Sequence, residues 1–313
     1  MRLVEADDKQ KRQRDELTYV EWGQKLSLHQ FLAREQKLRA TAWTRAGMQT
    51  WFYVDEAGQV LSSCETFRMD SLCADQPGHA YAIASVFTEE SRRGKGYAAQ
   101  MLEAVMHELE TRDQKLQAFT LYSEIGAGLY ARLGFSERPS FERVIVTNGR
   151  RSGATTLQPL TNDEIVRGWN QLSSSRSGFV IWPTSEQIDW HFERERIYAA
   201  HLGREALPFN GVAFGDALLV WMVNYKTEVL QGLYFKAKTA LEAQALLVKG
   251  CEVAHDYGLN KFCIWESELF SGWDRLGVHA ARVPLNDSLA MIKMVDSSAA
   301  PTDWTFISRS LWV

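Results

Sequence analysis

Between Tyr81 and Phe87 nearly every residue is apolar, Glu89, Glu90 and Ser91 break the run, and from Tyr97 apolar side chains recur at Ala98, Met101, Leu102, Val105 and Leu109. A short unbroken apolar run predicts a buried strand, whereas apolar positions three and four apart predict a helix with one face in a core. The chain around this strand, loop and helix reads the same way. Arg2 to Ala6 predicts a short strand, and the charged stretch Asp7 to Leu17 predicts a solvated helix without legible chemistry. Leu26 to Glu35 predicts a helix capped by Ser27, and Met48 to Val54 and Val60 to Phe67 predict strands joined by the turn Asp55-Glu56-Ala57-Gly58. A strand over Gln117 to Tyr122, a helix ending at Gly134 and a strand over Phe141 to Val146 follow.

Asn148 to Gly153 is polar and turn-rich, and after it the pattern restarts. Thr156 to Thr161 predicts a strand, with Thr161 or Asn162 capping a helix. Ala217 to Asn224 and Val229 to Ala237 predict strands, Ala240 to His255 an amphipathic helix, and Lys261 to Trp265 a strand. Arg-Leu-Gly at 275–277 repeats Arg-Leu-Gly at 132–134. An internal duplication with domains 1–150 and 154–313 is therefore expected. The second copy has only Lys236-Ala237-Lys238-Thr239-Ala240 between strand and helix, without glycine, and Trp273 stands where the first has Tyr130.

Composition narrows the classes. With 313 residues, 45% hydrophobic and 24% charged, the chain can bury two cores. A net charge of -4 and a pI near 6.0 argue against a general nucleic-acid binder. The first residues are too charged for a signal peptide and no apolar run reaches membrane-spanning length, so a cytoplasmic protein without membrane partners is expected. Cys64, Cys73, Cys251 and Cys263 have no metal-ligand spacing and read as free thiols, and no metal is expected.

The chemistry gathers at Arg93-Gly94-Lys95-Gly96-Tyr97-Ala98. Two glycines let backbone approach a ligand, and the first amides of the following helix point out unpaired with the positive end of the helix dipole behind them. A pyrophosphate would fit there, although a solvated basic turn has the same composition. Neither a Gly-x-x-x-x-Gly-Lys-Ser/Thr loop nor a three-glycine dinucleotide turn is present. Glu65 interrupts the second hairpin strand, facing either solvent, the default, or a polar cavity. His29 and His107 are weaker candidates. Tyr130, taken alone, reads as a core aromatic.

The spacing of Arg93, Gly96 and Ala98 resembles the Arg/Gln-x-x-Gly-x-Gly/Ala signature of the GNAT superfamily of acetyl-CoA-dependent N-acetyltransferases, and Tyr130, Gly134 and Phe135 match its Tyr-x-x-x-Gly-Phe ending. The chain departs from it at Ile125 and Gly126, where an asparagine is common. The resemblance implies a mixed α+β GNAT fold followed by a degenerate GNAT-like domain that binds no cofactor and closes the acceptor site. It implies acetyl-CoA as cosubstrate, with the pyrophosphate on Arg93, Gly94, Lys95, Gly96, Tyr97 and Ala98 and the pantetheine along Ser85, Val86 and Phe87. The thioester carbonyl would meet an amide near Phe87, Tyr130 would protonate the departing thiolate and Glu65 would act as base.

Trp22-Gly23, Leu32-Ala33-Arg34-Glu35, Ser63-Cys64-Glu65-Thr66 and Leu121-Tyr122-Ser123-Glu124-Ile125-Gly126 further resemble the fungal lysine N6-acetyltransferase family. That resemblance implies the ε-amino group of free lysine as acceptor. A polyamine, an amine-bearing antibiotic or toxin, a protein amine, and a non-catalytic acetyl-CoA sensor are the alternatives. A cation in the cleft would favour lysine over a polyamine. Oligomeric state is not legible.

Overall fold

The computed structural model describes residues 1–147, 157–169, 178–267, 269–296, 304 and 306–313, so the break at Asn148 to Gly153 lies outside the described residues. The first half runs β1 (Arg2–Glu5), α1 (Asp8–Trp22), α2 (Leu28–Arg39), α3 (Ala42–Gly47), β2 (Met48–Val54), β3 (Val60–Cys73), β4 (Gln76–Phe87), α4 (Tyr97–Arg112), β5 (Leu116–Ser123), α5 (Gly128–Arg132), β6 (Ser136–Arg138) and β7 (Phe141–Val146). The second runs β8 (Gln158–Leu160), α6 (Asn162–Gly168), β9 (Phe179–Ile181), α7 (Ser185–Leu202), β10 (Gly211–Phe214), β11 (Ala217–Asn224), β12 (Val229–Lys236), α8 (Ala240–Asp256), β13 (Lys261–Trp265), β14 (Ala281–Pro284) and β15 (Leu289–Met294).

The strands form two sheets of the same plan. One has the order β1-β2-β3-β4-β5-β15-β6, with β9 also on β3, and the other, read from its far edge, β8-β10-β11-β12-β13-β7-β14. Each contains one parallel pair, β4 with β5 and β12 with β13, bridged by α4 and by α8 respectively. Aligned position by position, the two orders make the duplication complete except for one exchange. The sixth strand of each sheet comes from the other half, β15 in the first and β7 in the second, each antiparallel to its neighbour. Between the sheets lies a shared core in which Phe67, Ala82 and Ile292 meet Phe192, Met222 and Leu233.

Local chemistry sets the element ends. Ser27 caps α2 in a capping box with Gln30, and Thr161 caps α6 with Glu164. The hairpin of β3 and β4 continues well past Phe67, to a turn in which Ala74 and Asp75 both take positive φ, +47° and +63°. Residues of mixed polarity there hid the strand period. The helix expected to be solvated is α1, and its Arg14, Asp15 and Thr18 are buried. Its charges are matched by charges on α2 and β3, so an apolar stripe is not needed to bury that face. Near the C-terminal end the chain makes a bridge at Trp304 and a single 3-10 turn at Arg309–Leu311. Among the described residues the four cysteines form no disulfide, and Cys64, Cys251 and Cys263 are buried. Among the described residues no helix is long and apolar enough to cross a membrane.

Burial pushes the Glu195 carboxyl up to about 8, against hydrogen bonds from the Val223 amide and from Asn210 at 2.8 Å. Between its ordinary value of 4.5 and about 8 the folded chain keeps a proton that the unfolded chain has released, so stability present below pH 4.5 is lost as pH rises through this window. The slope reaches about 1.4 kcal/mol per pH unit at its steepest. Urea midpoints at pH 5 and pH 8 test this: Glu195→Gln should flatten the dependence, and an unchanged slope would remove the assignment.

Candidate active site

The loop from β4 into α4 is shaped by two glycines. Gly94 and Gly96 have φ of +77° and +78°, a region that costs an L-residue with a side chain about 1–2 kcal/mol. Gly96 is the N-cap of α4, and no side chain caps it. The leading amides of a 16-residue helix therefore have no side-chain acceptor. Arg93 ties the loop down, its Nε donating to the Thr88 carbonyl at 2.9 Å and its Nη2 to Glu21 at 3.0 Å. Lys95 is exposed.

The equivalent end of α8 is closed by its own side chains. The Thr239 hydroxyl accepts from the Glu242 amide, and the Glu242 carboxylate accepts from the amides of Lys238 at 2.7 Å and Thr239 at 2.9 Å. A carboxylate thus occupies in the second half the position that a phosphate would need. The C-terminal segment also lies against β12, with the Ser308 hydroxyl donating to the Leu233 carbonyl at 2.7 Å.

In the first sheet, pairing of β4 with β5 ends at Ala82 and Thr120, while β5 continues on β15 to Ser123. The strands part there and open a cavity of about 560 Å³. On the other side of β4 the register jumps from Glu65 opposite Ala84 to Ser63 opposite Phe87, so Ser85 and Val86 together face Cys64. Ser85 has φ of +52°. This bulge leaves one residue outside the ladder and turns the strand end toward the opening. Arg14 clamps it, donating to the Ser85 carbonyl at 2.7 Å, to Ser63 at 3.1 Å and to Glu65 at 3.1 Å.

Of the residues singled out in the sequence, Ser85, Val86, Phe87, Arg93, Ala98, Glu65 and Tyr130 line this one cavity. Glu65 is buried, and its Oε1 accepts from both Arg14 and Arg39, the latter at 3.2 Å. The solvent-facing default for it does not hold. Tyr130 is buried edge-on to Phe135, and burial pushes its phenol up to about 12. His29 and His107 are exposed and line no part of it. Where an asparagine was missing, the Ser123 hydroxyl closes the turn by donating to Gly126 at 2.6 Å, and Ile125 stands 72% exposed at the cavity.

The walls carry charges that the sequence did not announce. Arg39 grips Asp15 through two bonds of 2.5 and 2.6 Å and approaches Glu35 at 3.7 Å, while Arg34 binds Glu35 and the Tyr198 hydroxyl. Burial opposes charge on Glu35, but Arg34 and Arg39 hold its carboxyl below the ordinary range. Arg194 of α7 and Lys226 of the turn between β11 and β12 reach the same cavity from the second half, as do Trp190, Trp312 and Val313. Trp182, His191, Glu193 and Glu195, aromatic and acidic residues near Trp190 in the chain, are outside the lining. No motif marks Lys226 or Arg194, since their position depends on how the halves pack.

Replacing Arg14 by methionine would leave Glu65 with one fewer partner and the bulge unclamped. Loss of one member of a buried pair costs about 3–5 kcal/mol, and loosening the strand end should lower kcat about tenfold or more. A shift in urea midpoint worth under 1 kcal/mol, with kcat intact, would show that the clamp does not matter.

Comparison with known proteins agrees with this architecture. Residues 154–313, just over half the chain, match the family described as LYC1 GNAT-like C-terminal domain, and residues 47–137 match the acetyltransferase (GNAT) domain. A protein of Yarrowia lipolytica named lysine acetyltransferase is 21% identical over 80% of this chain and 80% of its own. Two solved structures share the fold. One, from Enterococcus faecalis V583 and described as a probable N-acyltransferase, has a TM-score of 0.65 at 13% identity over 95% of this chain and 73% of that one. The other, a GCN5-related N-acetyltransferase from Kribbella flavida, has a TM-score of 0.63 at 16% identity over 95% and 72%. The chain belongs to the family defined by the LYC1 GNAT-like C-terminal domain and is an acyl-CoA-dependent N-acetyltransferase of the GNAT superfamily.

Proposed function

We propose that the protein transfers the acetyl group of acetyl-CoA to the ε-amine of free L-lysine. The observation that carries this choice is the charge left over in the cavity. Among the described residues, ion pairs join Arg14, Arg34, Arg39 and Arg93 to Glu65, Glu35, Asp15 and Glu21, whereas Arg194, Lys226 and Glu124 make none. A polyamine would need anions only, but an amino acid with a second amine needs both signs. The name of the Yarrowia relative, lysine acetyltransferase, supports the same acceptor.

In this mechanism the uncapped amides of α4 and the loop from Arg93 to Ala98 receive the pyrophosphate, and the bulge at Ser85 and Val86 receives the thioester end. An amide near Phe87 meets the oxyanion of the tetrahedral intermediate. The lysine ε-amine, with an unperturbed pKa of about 10.4, arrives protonated. Glu124 takes that proton directly or through water, while Glu65, its Oε1 spent on two guanidiniums, positions Arg14 and Arg39 rather than acting as the base. Attack forms the C–N bond and breaks the C–S bond. Of the two protons that an ammonium loses on becoming an amide, one ends on the CoA thiol and the other in solvent.

Release of CoA thiol, measured with L-lysine, spermidine, an aminoglycoside and a lysine-containing peptide, tests the acceptor. Lysine should exceed the rest by tenfold or more in kcat/KM, a factor of about 1.4 kcal/mol. Turnover of spermidine and not lysine would overturn the acceptor, and tight CoA binding without any turnover would favour the sensor.

A further inference from the structure

We propose that Arg194 and Lys226 form a carboxylate-binding subsite, through which the second half of the chain selects an acceptor that carries an acid group as well as an amine. Arg194 is half-buried at the cavity wall and has no carboxylate within ion-pair distance among the described residues. Glu35, the acid in electrostatic reach, is already taken by Arg34 and Arg39. The face of Trp312 lies 5.0 Å from its guanidinium carbon and that of Trp190 lies 5.8 Å away, which steadies the cation, and a hydrogen bond to Tyr198 uses only part of its fork of N–H donors. Lys226 lines the same cavity and, among the described residues, makes no ion pair.

Burial, reinforced by repulsion from Arg194 and Arg34, pushes the Lys226 amine down to about 7, and burial likewise holds Arg194 below its ordinary range. Two cations held close together at a partly desolvated wall are costly to keep unless an anion visits them. A planar guanidinium beside an ammonium matches a carboxylate, which can accept from both. Glu124 is within electrostatic reach of Lys226 and of Tyr130, so an acceptor whose acid group sits on this pair has its other end toward the acetyl-transfer site. The α7 helix that carries Arg194 packs on α2 and α3, which brings the residue to the cavity of the first half.

This subsite rests on the lysine assignment above, and the test separates the two. L-lysine and L-lysinamide, which differ in the acid group, are compared by kcat/KM and by calorimetric titration into protein saturated with CoA. The wild type should prefer lysine about 30-fold, the range of a hydrogen bond to a charged group. Arg194→Gln and Lys226→Met should each bring the ratio of the two substrates toward one while CoA binding persists. Equal use of lysine and lysinamide by the wild type would overturn the subsite and leave lysine acetylation standing. Unchanged selectivity in both variants would overturn the assignment to these residues. Should neither compound be acetylated, carboxylate-dependent binding that Arg194→Gln abolishes would support the subsite while lysine acetylation fails, and binding indifferent to the carboxylate would overturn both.

Discussion

Tyr130→Phe should lower kcat for acetyl transfer by about 10³-fold, within the range of general acid catalysis, while KM for acetyl-CoA changes little. The residue lines the cavity, is 7% exposed, and is fixed by α5 and by its edge contact with Phe135 at 6.1 Å. Burial first, then the neighbouring Cys64 and Glu124, push the phenol up to about 12, so it carries its proton at any working pH. That direction also defines its part in the reaction. A thiol of pKa near 8.5 gives a thiolate too weakly basic to take the proton outright, so the hydroxyl would act as a neutral donor to charge developing on sulfur and keep its own proton, the thiolate taking one from solvent as CoA leaves. Such a bond is made in the transition state and not in the ground state, and its loss appears in kcat. Among the described residues the hydroxyl has no protein partner, so thermal stability should be unaffected. A kcat within threefold of wild type would remove Tyr130 from the chemistry.

How far the sequence discloses this arrangement depends on whether a feature is local. The strand, glycine loop and helix from Tyr81 to Leu109 are legible because apolar period, φ requirement and dipole all act within a few residues. The helix end at Gly134, with φ of +88°, and the duplication are legible for the same reason. Arg14 is not, because a helix of alternating charge reads as solvated until its partners Glu65 and Ser85, about fifty and seventy residues on, close over it. The exchange of β7 and β15 is invisible for a related cause: both are short strands, and their own residues do not say which of two similar sheet edges will take them. Arg194 and Lys226 compound both difficulties. Their place at the cavity follows from the shared core, the crossing strands and the link from Arg34 to Tyr198, none of which has a period or a spacing.

The comparison between the halves also yields the sharpest test of the cofactor cradle. In α8, the third helical residue, Glu242, folds back onto the amides of Lys238 and Thr239. The corresponding third residue of α4 is Ala99, beside a glycine N-cap with no side-chain bond. Ala99→Glu would give the first half the stopper that the second half already has. A carboxylate near the helix start is favoured by the dipole, so the fold should tolerate or gain from it. The pyrophosphate would lose two or more charge-assisted bonds of roughly 1.5–3 kcal/mol each and meet a like charge, which predicts about 10³-fold weaker CoA binding at low salt. Ala99→Gln, with similar bulk and no charge, should cost far less, and raising the ionic strength should narrow the gap between the two variants because the repulsion is screened. Equal losses for Glu and Gln would mean that bulk and not charge blocks the loop, whereas undiminished CoA affinity in the glutamate variant would mean that the pyrophosphate does not rest on these amides.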